Sequence, residues 1–193
     1  MKSEILGQSY VARSVNAADN VMINLFPEAT GNQGKETGFL NRAPGLRKIT
    51  TIGRGPIRAL WAQQSNAQNA YVVSGNEVFR IDRGFQPVKL GDIAGTGPVS
   101  IADNGQQIFF AANPNGYIYD IQANTYAQIT DPDFPGAVTV GFLDGYFVFN
   151  EPNSQKLWVT SLYDGTMVDP LDFASAEGAP DLISAINVDQ REV

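Results

Sequence analysis

Two carboxylates stand two residues apart in Asp131-Pro132-Asp133. On a strand such a pair shares one face, where it could serve as the acid and base of glycoside hydrolysis or ligate Ca²⁺. Pro132 between them and Pro135-Gly136 after them place the pair in a loop instead, where aspartate is ordinary turn chemistry. Arg42, Arg47, Lys48, Arg54 and Arg58 form the one basic cluster, which could meet phosphates or an acidic partner surface, or be a solvated basic segment. A protein partner fits it better than phosphate, because the chain carries its own acidic end. The chain has neither Cys nor His, which removes disulfides, thiolate nucleophiles, Cys/His zinc sites and the common histidine base.

Other strings come close to known sites and stop short. Gly91-Asp92-Ile93-Ala94-Gly95-Thr96-Gly97 lacks the Lys-Ser/Thr of a phosphate-binding loop and leads into a strand, so it reads as a connector. Ser161-Leu162-Tyr163-Asp164-Gly165-Thr166 approximates an Asp-box turn, but the spacing differs, the Trp is missing, and an Asp box is itself structural. Trp61, Phe109, Phe110, Phe147, Phe149 and Trp158 fall on strand-like runs and read as packing residues. No catalytic, cofactor-binding or metal-ligating residue is assigned, no cofactor is expected, and the protein is not expected to be an enzyme.

The 193 residues carry a formal net charge of −7, against general nucleic-acid binding, but the charge is uneven. Within residues 1–60, Lys2, Arg13, Lys35, Arg42, Arg47, Lys48, Arg54 and Arg58 outnumber Glu4, Asp19, Glu28 and Glu36. Residues 131–193 hold eleven acids against Lys156 and Arg191. The first residues lack the apolar core of a signal peptide and no run has the length of a membrane span, so a soluble protein without its own export signal is expected.

Residues 1–54 are polar and turn-rich, with one short strand candidate at Val21–Phe26, and read as an extended arm. Its apolar residues Ile23, Leu25, Phe26, Phe39 and Leu40 need something to pack on. From Gly55 onward, β-branched and aromatic runs alternate with Gly, Asn, Asp and Pro and recur about every forty residues. First strands are expected at Pro56–Trp61, Pro98–Ala102, Ala137–Phe142 and Asp181–Ile186. Second strands follow at Ala70–Val73, Gln107–Ala111 and Tyr146–Phe149, and third strands at Val78–Ile81, Tyr117–Ile121 and Leu157–Thr160. Weaker fourth strands are expected at Pro87–Leu90 and Tyr126–Ile129.

Asn104-Gly105 and Asp144-Gly145 suit type I′ hairpins between first and second strands, and Gly75 and Gly116 fall at the next turn. In the first unit the earlier turn is replaced by a polar loop, Gln63–Asn69. The expected fold is all-β: propeller-like blades of antiparallel strands forming an incomplete ring, with a β-sandwich as the alternative. The units lie near 55–96, 97–135 and 136–180, with the start of a fourth at 181–193, as though this were the first part of a longer protein.

Three stretches carry a resemblance. They are Asn24-Leu25-Phe26-Pro27-Glu28 followed by Gly38–Leu46, then Gly91–Ser100, then Thr160–Thr166 running into Leu171–Glu177 and Pro180-Asp181. In order and spacing they resemble the packaged-DNA stabilisation proteins, or tail hub proteins (tail accessory factors), of short-tailed bacteriophages. The resemblance covers most of the chain, and members of that family are about twice this long or more.

It implies a virion structural protein, made in the host bacterial cytoplasm, acting as head-to-tail connector. A homo-oligomeric ring, expected to be a hexamer, would dock below the portal and its adaptor ring, seal the channel and retain packaged DNA. It would also carry the tail needle and tailspike proteins, with DNA nearby and no membrane insertion. A carbohydrate-binding or carbohydrate-cleaving propeller and a generic protein-interaction propeller are the other readings the residues allow.

Overall fold

Short runs of β-branched and aromatic residues punctuated by Gly, Asn and Asp fold as hairpins in the computed structural model, which describes residues 23–29, 38–63, 69–176, 178 and 181–188. Every described strand pairs antiparallel, and no described residue is helical. The chain divides into two compact units, Met1–Lys48 and Ile49–Val193.

In the first unit, β1 (Leu25–Ala29) pairs with β2 (Gly38–Arg42), with Leu25 opposite Arg42 and Glu28 opposite Phe39. Within the segment expected to be an extended arm, Leu25–Ala29 and Gly38–Arg42 therefore pair as a ribbon. Its strand starts at Leu25, after Asn24 at a φ of 57°; Val21 and Met22 lie outside the described residues.

In the second unit, three four-stranded meanders follow one another. The first blade is β3 (Ile57–Ala62), β4 (Ala70–Ser74), β5 (Glu77–Ile81) and β6 (Pro87–Asp92). The second is β7 (Ser100–Asp103), β8 (Gln107–Ala112), β9 (Asn115–Asp120) and β10 (Thr125–Gln128). The third is β11 (Val140–Leu143), β12 (Tyr146–Asn150), β13 (Lys156–Ser161) and β14 (Asp164–Ser175). Sheets packed in series, rather than two facing sheets, make this a β-propeller arc and exclude the sandwich. The ring is not closed among the described residues.

The period of two along each strand explains why the middle blade is buried on both faces. From β8, Ile108, Phe110 and Ala112 join Tyr71, Val73 and Val78 of the first blade. The alternate residues Phe109 and Ala111 join Phe147, Phe149, Trp158 and Val168 of the third. Phe109 stands 5.6 Å from Phe147 and 5.8 Å from Phe149 between ring centroids. All six aromatic residues assigned to packing do pack, and Phe109, Phe110, Phe147 and Phe149 are wholly buried.

Two turns differ from expectation. Asp144 and Gly145 both have positive φ (48° and 98°), the type I′ pattern, but at the other hairpin the positive φ belongs to Gly105 alone (87°). Asn104 N donates to Gln107 O at 3.1 Å, so the two loop residues are Gly105 and Gln106, with glycine leading as in a type II′ turn. Gly75, at φ 57°, turns β4 into β5. Gly116 makes no turn: Asn113 and Pro114, joined by a cis peptide, do so, and Gly116 sits within β9 opposite Ala111. There a Cβ would come within 2.6 Å of Phe134 Cζ and 2.8 Å of Ile129 Cδ1.

The polar loop of the first unit falls largely outside the described residues, at 64–68. The third blade has a fourth strand that the turn-like text of Asp164–Ser175 concealed. Its Val168 pairs with Thr160 and its Phe173 with Trp158, so Asp169–Asp172 bulge out opposite one residue. The expected fourth first strand, Asp181–Ile186, forms no ladder. It is nevertheless held along the third blade, with Ile183 N donating to Ser154 O at 3.0 Å.

Candidate functional site

Several of the polar residues singled out in the sequence hold neighbouring blades or their connectors together. Asp131 Oδ1 accepts the amide of Asp133 at 2.9 Å, closing the turn expected there. Its Oδ2 accepts Val168 N at 2.9 Å, tying the connector after blade two to β14 of blade three. The Asp131-Pro132-Asp133 stretch thus forms the loop turn expected there, and no group of three or more His, Cys, Asp or Glu side chains able to hold a metal occurs among the described residues.

Asp164 belongs to a second tie. Its Oδ1 accepts Thr166 N at 2.9 Å and Thr166 Oγ1 at 2.7 Å, and Gln107 Oε1 of blade two accepts Gly165 N at 2.8 Å. Burial pushes the Asp164 carboxyl up, but the bonds from Thr166 and Gln107 outweigh it and hold the group below its ordinary value. Asn104 completes the contact, its Nδ2 donating to Tyr163 O at 3.2 Å.

Arg58 departs from the basic cluster in which its charge placed it. Nε donates to Gly97 O at 2.6 Å, Nη1 to Gly75 O at 2.9 Å and Nη2 to Ala94 O at 3.0 Å. The guanidinium fork binds three carbonyls around the Gly91–Gly97 connector, and burial lowers its pKa from the usual arginine value. Arg42, Arg47, Lys48 and Arg54 are exposed, the first three in the first unit and Arg54 in the second. Between the first two blades, Trp61 Nε1 donates to Asp103 Oδ2 at 2.7 Å and Arg80 Nη1 to Tyr119 Oη at 3.2 Å.

Tyr71 and Tyr126 are the buried hydroxyls without a hydrogen-bond partner among the described residues. Burial, then the neighbouring Tyr119, pushes Tyr71 up to about 12; burial and Tyr117 raise Tyr126 as well. Both stay protonated at any physiological pH, so neither is available as a base or nucleophile.

What remains open are surfaces. A groove of about 610 Å³ runs past the inner strands, lined by Trp61, Ser100–Gly105, Val140–Phe142 and Ile186–Val188. A second, of about 480 Å³, lies on the outward face of blade three between Tyr146, Val148, Leu157, Val159 and Phe173. A third, of about 460 Å³, lies on blade one beside Leu60, Ala70, Ile81 and Phe85. Leu60 is 69% exposed and Leu171, on the bulge of β14, 83%. Both leucines lie on faces that no described sheet covers. Sequence reasoning missed the inter-blade roles of Asp103, Gln107 and Arg58; the recurrence of the blades was the signal that polar residues near strand ends would face a neighbour.

No curated protein matches the chain. Among solved structures it is similar to PorZ, a bacterial surface component of the type-IX secretion system of Porphyromonas gingivalis. That match has 12% identity and a TM-score of 0.40 and covers 58% of this chain and 15% of that one. The Pan2 WD40 domain of Neurospora crassa matches at 12% identity and a TM-score of 0.40, over 72% of this chain and 41% of that one. A chain of the mitotic checkpoint complex matches at 9% identity and a TM-score of 0.41, over 74% and 49%. The chain spans less than half the length of each. A family model described as bacteriophage P22 Gp10, β-propeller, matches residues 5–193, and the chain belongs to that family of phage structural, DNA-stabilising proteins.

Proposed function

We propose that this chain is part of the tail hub that connects head to tail in a short-tailed phage. Family membership over residues 5–193 carries the reading. In it, copies form a ring, six by expectation, below the portal and adaptor. The ring seals the channel, retains the packaged DNA and offers seats for the tail needle and tailspikes. The protein acts by assembly rather than catalysis, consistent with a structural family and with polar side chains engaged between blades. The exposed Arg42, Arg47 and Lys48 offer a charged surface that such an assembly could use.

The test is the mass of the protein by native mass spectrometry, alone and with a portal–adaptor complex. A ring that forms or is stabilised on the complex supports the reading. A monomer indifferent to the complex overturns it.

A further inference from the structure

The sequence has two Asn-Gly pairs, Asn104-Gly105 and Asn115-Gly116. Glycine puts no Cβ beside its own nitrogen, so in a free chain that nitrogen readily attacks the preceding asparagine carboxamide. The two pairs sit differently in the blades. Asn115 is bonded within its own blade, its Oδ1 accepting Gln128 Nε2 at 3.0 Å, and Gly116 lies inside β9. Asn104 and Gly105 lie in the turn from β7 to β8, which is gripped from both neighbouring blades.

Blade one holds the turn from one side. Gln63 Nε2 donates to Gly105 O at 3.1 Å, and Trp61 Nε1 fixes Asp103 through its Oδ2. Asp103 Oδ1 accepts Gly105 N, the attacking nitrogen, at 3.1 Å. A carboxylate there opposes loss of the amide proton, which would set a second negative charge against it. From blade three, Tyr163 O accepts Asn104 Nδ2, the leaving group, at 3.2 Å. Within blade two, Asn104 Oδ1 accepts Gln106 N at 2.9 Å and Gln107 N at 2.6 Å. Swinging the carboxamide onto Gly105 N breaks these bonds. Burial is not what shields the pair: both residues are half-buried and line the inner groove of about 610 Å³.

We propose that Asn104 is a deamidation site that the blade junctions keep closed, and that its conversion stops the junction of blades two and three from closing again. In the reaction Gly105 N gives its proton to hydroxide and bonds to Asn104 Cγ. The Cγ–Nδ2 bond breaks, and the nitrogen takes a proton from water and leaves as ammonia. Water then opens the cyclic imide at either carbonyl, leaving aspartate or isoaspartate at this position. Neither product has a donor for Tyr163 O, and the new carboxylate sets a negative charge against that carbonyl and beside Asp103. Isoaspartate also adds a methylene to the backbone inside a tight turn.

The test follows both asparagines in the full chain by peptide mapping with mass spectrometry, in mildly alkaline buffer and in urea. Asn104 should convert more than about ten-fold more slowly in the folded protein, because reaction waits for local opening. Asp103→Asn keeps an oxygen for Trp61 but turns an amide against Gly105 N, and Gln63→Met removes the grip on Gly105 O. Each variant that retains the circular dichroism of the unaltered protein should convert Asn104 several-fold faster and Asn115 at an unchanged rate. Asn104→Asp, standing for the product, should quicken amide exchange at Gly165, whose N–H donates to Gln107 across the junction, while the amides of β4 keep their protection. Conversion of Asn104 equally fast in folded and unfolded protein overturns the proposal. So does slow conversion in the folded variants, or acceleration of both asparagines together. Unchanged exchange at Gly165 overturns the one-way step.

Discussion

Gly116 shows how much one missing side chain can matter. Its space is taken by Phe134, Ile129 and Phe109, the last within 3.1 Å of where a Cβ would be. Gly116→Ala should therefore destabilise the protein by about 1–3 kcal/mol, the usual cost of overpacking a filled core. Gly97→Ala, where nothing lies within 4 Å, should stay within about 0.5 kcal/mol, and urea unfolding of the two variants reads the difference. Asp164 gives a pH dependence of fixed sign. Its folded pKa is below the unfolded value, so the folded state binds that proton less readily than the unfolded state. Its contribution is present above the unfolded pKa, near 4, and is lost as pH falls through the folded value. The stability gap between the wild type and Asp164→Asn should accordingly narrow in chemical denaturation series taken below pH about 4. A gap that widens there would contradict this assignment.

The blade is an element whose strands could be read from sequence because each has the same job in every unit. Tyr71–Val73, Phe109–Phe110 and Phe147–Phe149 are all buried second strands, and their apolar runs stand out from the polar turns around them. The outermost strands were harder, since β10 and β14 are largely exposed and carry polar text. β14 was missed altogether because Asp164-Gly165-Thr166 and Asp169-Pro170 are turn formers, and the turn chemistry is present, inserted into a strand. Gly116 was misplaced because glycine is equally the residue of tight turns and of tight packing. The ties between blades were invisible for a further reason: Arg58 and Gly97, or Gln107 and Gly165, are brought together by stacking that no local pattern records. The segment held along the third blade offers a direct check at this scale. Thr139→Val keeps the side-chain shape and removes the acceptor of Ile186 N, so amide exchange at Ile186 should quicken while the amides of β12 keep their protection.

Across the whole second unit, blades touch only their neighbours among the described junctions, and stability should be distributed accordingly. Phe109→Ala opens a cavity at the junction of blades two and three and should cost about 3–5 kcal/mol there. The two tryptophans report on opposite ends of the arc, Trp61 against blade two and Trp158 inside the blade-three cluster. In single-tryptophan versions of Phe109→Ala, the denaturant midpoint seen by Trp158 should fall further than that seen by Trp61. Equal shifts would mean that the arc unfolds as one block.

In each blade every strand pairs with the strand before or after it in the chain, and no strand waits for a distant partner. Contacts of such short sequence separation form quickly. A blade can thus take shape on the ribosome as soon as its four strands have emerged, and each new blade finds the exposed face of the one made before it. Synthesis itself supplies the order of folding, and the nascent chain need never expose more than one unfinished apolar face at a time.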